Sequence, residues 1–146
     1  MRSLSRREDF QAIDARSYVV REQHRFFRAG HYDPREAASM IALEAVLADA
    51  KDVAVKIVDG WICVCADVDW LDDVGMAAFE RLAPFKRGGP NGVTSEFFPV
   101  VFSRSVVTVV GGRTRIVKDG GSVAPVTQLG SGWERVVAFE IVPSEN

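Results

Sequence analysis

The sequence predicts an α+β fold, with N-terminal helices packed on one face of a five- to six-stranded, mainly antiparallel sheet. Three observations lead there. Residues 33–48 carry a complete helix start signal, the two-residue turn Asp59-Gly60 separates two apolar runs of period two, and the later apolar runs are short and broken by turn residues. No repeat, low-complexity stretch or linker divides the 146 residues, so one domain is expected, helical over 1–50 and sheet-rich over 51–146.

Between Ser5 and Arg28, Phe10, Ile13, Tyr18, Val20, Phe26 and Phe27 recur at mixed helical spacing among charges, which predicts one long or two short amphipathic helices. Asp33 then stands as an N-cap, Pro34 at the first helical position and Glu36 three residues past the cap, opening a helix to about Ala48. Tyr32 against Ala37 would make a weak hydrophobic staple. Asp59-Gly60 favours positive φ at both central positions and predicts a hairpin pairing Val58 with Trp61, Ile57 with Ile62, Val55 with Val64 and Val53 with Ala66. The second face of that hairpin, with Lys56 opposite Cys63 and Ala54 opposite Cys65, reads as mixed.

After Trp70, Asp72 and Asp73 are expected to open a short helix reaching about Leu82, with Pro84 ending it. Strands are predicted over Thr94–Phe102, Ser105–Val110 and Arg113–Lys118, the last two joined by Gly111-Gly112, with Val107 and Val109 sharing a face with Ile116. A final strand over Trp133–Val142 places Val137, Phe139 and Ile141 on one side and Glu134 and Glu140 on the other. The strands are expected to follow one another as a meander.

Bulk properties narrow the function. With 47% hydrophobic and 26% charged residues the composition is ordinary for a globular chain, and no apolar run approaches the roughly 20 residues of a membrane span. The first ten residues mix Arg with Glu and Asp, with no apolar h-region behind them, so a cytoplasmic protein is expected. Arg outnumbers Lys by 14 to 4, the bias of a GC-rich bacterial genome. A net charge of −2 argues against a nucleic-acid partner. Its distribution is uneven, since residues 52–82 hold two basic and seven acidic side chains, an island of net −5.

The acidic stretch containing Asp67, Asp69, Asp72 and Asp73 is the most suggestive cluster. Its spacing does not make an EF-hand, because the twelfth position from Asp67 is Ala78 where a bidentate Glu is needed. Helix capping and a solvated strand end account for the same residues, and a protein-binding surface is the leading functional alternative. Trp61, Trp70 and Trp133 sit at strand ends, where aromatic rings either cap the core or anchor a partner. His24 and His31 lack the i, i+4 spacing of helical zinc ligands, and Cys63 and Cys65 have no second Cys pair, so no metal, cofactor or catalytic set is expected. The two cysteines read as free, buried thiols. Lys86 to Gly92 is a basic, glycine-rich connector without the spacing or following helix of a phosphate loop, and Arg113 and Arg115 make a small positive patch.

Together these features predict a non-catalytic protein-binding domain, immunity- or inhibitor-like, engaging a basic partner such as a toxin or an enzyme. Its candidate surface is Asp67, Asp69, Asp72 and Asp73 flanked by Trp61 and Trp70. The alternative is a small-ligand or enzymatic pocket between helices and sheet, lined by His24, Asp67, Asp69 and Trp61. The order of elements is similar to that of cone-shaped α+β folds such as the nuclear-transport-factor-2-like group, a similarity of architecture that rests on no motif and carries no function.

Overall fold

In the computed structural model the described residues are 15–87, 91–125 and 132–144. Among the described residues the chain is helical over 15–21 (α1) and, after a turn at Glu22, over Gln23–Phe26 (α2), within the stretch predicted as helical; the part of that prediction before residue 15 lies outside the described residues. Phe27 follows α2 and packs edge-on against Phe98, with ring centroids 5.1 Å apart. α3 spans Pro34–Leu47, and the Asp33 side chain accepts from the Arg35 N–H at 2.9 Å. Such a cap is worth about 1 kcal/mol. Glu36 does not close the predicted capping box; its carboxylate accepts from the Arg28 N–H at 3.1 and 3.2 Å and ties the preceding turn to the helix. Tyr32 stacks on Phe102 at 4.7 Å and its hydroxyl shares a hydrogen bond with Ser103 Oγ, a larger aromatic contact than the staple with Ala37 would provide.

β1 (Val53–Val58) and β2 (Trp61–Ala66) pair in the predicted register, with Asp59 and Gly60 at φ of 51° and 80°. The remaining elements are α4 (Ala77–Glu80), α5 (Phe97–Phe102), β3 (Val106–Val110), β4 (Arg113–Lys118) and β5 (Arg135–Glu140). Among the described residues five helices and a five-stranded antiparallel sheet make the α+β fold. The sheet order is β1-β2-β5-β3-β4, which overturns the meander: the last strand enters between the two hairpins and satisfies the inner edge of each. As a result β2 is buried along its whole length while β1 lies outermost.

Two further expectations are corrected. Residues 97–102 form a helix rather than a strand, because a short continuous apolar run fits either state; Pro99 is tolerated as the third helical residue, where its missing N–H has no intrahelical partner to lose. The helix after Trp70 begins only at Ala77, with no side-chain cap, so Asp72 and Asp73 do not open it. Asp69 instead accepts from the Leu71 N–H at 3.1 Å and starts an intervening turn.

Each face of the sheet carries a buried apolar cluster. Ile62, Val64, Val106, Val137 and Phe139 pack against the helices together with Trp70, Leu71 and Phe98. On the other face Trp61, Cys63, Cys65, Val107, Val109, Val136 and Ala138 form a second cluster under Ala124 and Trp133, so the face read as mixed is closed. Glu140, on that same face, is held by Arg104 Nε and Nη2 at 3.0 and 2.7 Å, which keeps its carboxyl below the ordinary range. The cysteines are free and buried, and burial pushes the Cys63 thiol up to about 12 and Cys65 in the same direction, so neither is an activated nucleophile. Among the described residues no helix is long and apolar enough to cross a membrane.

Candidate functional site

The acidic cluster divides among separate tasks. Asp67 Oδ1 accepts from the N–H groups of Lys51 and Asp52 at 3.0 and 3.3 Å, tying the end of β2 to the start of β1. Asp69 Oδ1 accepts from Arg135 Nε at 2.9 Å. Asp72 is exposed, and exposed Asp73 lies 3.9 Å from Arg87 Nη1. Trp61 and Trp70 are 2% and 0% exposed, so neither ring reaches the surface; Trp61 fills the second cluster, and Trp70 donates its indole N–H to Glu96 Oε2 at 2.9 Å. Trp133 lies under Lys56, whose ammonium is 5.6 Å from the ring centroid. Nor are the residues of the predicted pocket brought together. His24 is exposed on α2 and Trp61 lies on the sheet face away from the helices, leaving Asp69 as the member that lines a cleft.

That cleft, about 480 Å³, opens where the helices leave the sheet uncovered. Strand register builds it. Arg135, Val110 and Arg113 form one row across β5, β3 and β4, and Val137, Thr108 and Arg115 form the next on the same face. Asp69 and Asp72 close one side together with Gly75 and Met76 from the turn that precedes α4. Arg135 is 3% exposed, and its orientation is fixed twice: Nε donates to Asp69, and Nη1 donates to Thr108 Oγ1 at 3.1 Å. Thr108 in turn donates to the Val136 carbonyl at 2.8 Å. A guanidinium withdrawn from water in this way is tolerated because a carboxylate and a hydroxyl replace its hydration.

A second buried polar group has no cation. Glu44 on α3 and Glu96 before α5 are both closed from solvent. Glu44 Oε2 accepts from the Ser95 N–H at 2.6 Å, while Glu44 Oε1, Glu96 Oε1, Thr94 Oγ1 and Ser95 Oγ have no hydrogen-bond partner among the described residues. Burial first, and then the neighbouring Glu96, push Glu44 up to about 11, so it holds its proton at neutral pH. Glu44 was legible only as one more charged residue in a helix, and Glu96 as an interruption of an apolar run; Arg135 gave no signal beyond its position on a strand. Against protein-family models, curated proteins and solved structures alike, the chain gives no match. The similarity to cone-shaped folds therefore stays one of element order.

Proposed function

We propose that the chain is a non-catalytic protein-binding domain, of the immunity or inhibitor kind and acting in the bacterial cytoplasm, that engages a basic partner through its acidic side. The observation that carries this reading is the β1 edge. β1 ends the sheet, so its outer N–H and C=O groups have no strand partner among the described residues, and Val55 and Ile57 are 48% and 52% exposed on it. Natural edge strands are usually blunted by charge or bulges; β1 carries one such charge, Lys56, on the face opposite Val55 and Ile57, and the exposed apolar face beside it is left as a template for a strand from another chain. Exposed Asp52 and Asp59 flank it, with Asp49 exposed nearby in sequence and Asp67 bonded to the Asp52 N–H; these four carboxylates outnumber the exposed Lys51 and Lys56, which favours a basic incoming segment and steers its approach. Val55 and Ile57 thus take the anchoring part that the buried Trp61 and Trp70 cannot fill.

The test places a photo-crosslinking amino acid at Ile57 and, separately, at Ile116, which is exposed on the opposite edge strand β4. A single adduct formed from position 57, weakened by salt and lost in the Asp52→Lys/Asp59→Lys background, supports the reading. Adducts that form equally from position 116, or that ignore the charge reversal, sink it. A second reading, a small-ligand pocket, is supported by the cleft over Arg135.

A further inference from the structure

We propose that the cleft over Arg135 is a binding site for a small molecule carrying an oxyanion, either a carboxylate or a phosphate group. The site is distinct from the β1 edge, since its floor is made by β5, β3 and β4. Arg135 carries the inference. Its side chain is almost wholly buried, and two of its three guanidinium nitrogens are bonded to Asp69 and Thr108. Nη2 has no partner among the described residues and is not among the sealed, unpartnered atoms, so it is open to the cleft that the residue lines. A buried guanidinium held by two bonds and presenting a free N–H₂ edge is a preorganised anion receptor, because its desolvation and its rotamer are settled before a ligand arrives.

The surroundings complete the receptor. Arg113 and Arg115 project from alternate positions of β4 onto the same face as Arg135. Three guanidiniums meet two carboxylates, and Asp69 is already committed to Arg135 and to the Leu71 N–H. The cleft is therefore locally positive on a protein of net charge −2, the inverse of what its composition would place there. A purely structural role for Arg135 would account for the Asp69 and Thr108 bonds but would not require two further arginines at the mouth. Leu71, Met76 and Val110 give the remaining wall an apolar character suited to the body of a metabolite, and about 480 Å³ is within the range of small-molecule sites.

The experiment titrates the intact protein with sodium phosphate and with sodium acetate at constant ionic strength made up with chloride, following thermal stability and the ¹⁵N-edited Nε–H resonance of Arg135. Saturable stabilisation by either anion, with a midpoint on the order of millimolar for so small a probe, is expected to move the Arg135 resonance. The Arg113→Gln/Arg115→Gln variant changes only exposed side chains, and it should weaken the midpoint about tenfold or more. Arg25→Gln, on α2, should leave it unchanged. Response to acetate alone assigns a carboxylate ligand, and response to phosphate alone a phosphorylated one. No saturable response to either anion, an unmoved Arg135 resonance, or an equal response in the double variant overturns the proposal. None of these outcomes depends on crosslinking at β1.

Discussion

Asp69 and Glu44 are both carboxyl groups on the helix side of the sheet, and the fold treats them in opposite ways. Asp69 accepts from a guanidinium at 2.9 Å, and the pair borders an open cleft. Glu44 is enclosed by α3, Ser95 and Glu96 without any cation and retains its proton instead. The difference teaches that burial alone does not set the state of an acid. What decides is whether a neighbouring strand delivers a base, and β5 delivers one to the loop after β2 but none to the space beneath α3.

The comparison can be broken most sharply at Arg135. Arg135→Met leaves Asp69 facing a desolvated apolar neighbour, and unfolding in urea should show a loss of about 3 kcal/mol, less than for a sealed pair because the Asp69 side chain is 23% exposed. Adding Asp69→Asn should restore part of that loss; if the double variant is no more stable than the single, the pair is not the unit that matters.

Glu44 should produce the next largest effect, visible in its pH dependence. Its folded value, about 11, lies above the ordinary 4.5, so the stability it contributes is complete below about pH 4.5 and declines as pH rises toward 11. The unfolding free energy from urea titrations should therefore fall between pH 5 and 9, by at most about 1.4 kcal/mol per pH unit for one proton. Glu44→Gln, which is neutral at every pH, should flatten that fall and be more stable than wild type at pH 8 by about 2 kcal/mol. A wild-type profile without this slope would mean that the proton is not held. The smallest effect is expected from Thr108→Val, which removes one acceptor from Arg135 and one donor to Val136, at about 1 kcal/mol by the same measurement, provided Nη1 finds another acceptor in the open cleft.

Much of the local structure was legible in the residues themselves. Asp59-Gly60 and Gly111-Gly112 specify tight turns through the φ values they tolerate, and a turn of fixed length sets the pairing of every residue behind it, so the register of β1 with β2 followed from the sequence. Asp33 and Pro34 marked the start of α3 through orphaned N–H groups that only a cap or a proline accommodates. Phe97–Phe102 carried no such punctuation, and its helix was set by packing among Phe26, Phe27 and the sheet.

The candidate sites were legible only in fragments. Asp69, Asp72, Arg113 and Arg115 stood out by charge, but the residue that unites them, Arg135, is 66 positions from its partner Asp69. Insertion of β5 between the two hairpins depends on which sheet edges find each other across the whole chain, and no turn dipeptide encodes that choice. The same insertion carries Arg135 beneath the cleft and leaves β1 at the edge. The sequence by itself determined the turns, caps and faces, because those are fixed by backbone sterics within a few residues. Tertiary structure alone decided which charges are paired, which are neutralised and which edge is open, because desolvation depends on neighbours that only the assembled sheet and helices bring into contact.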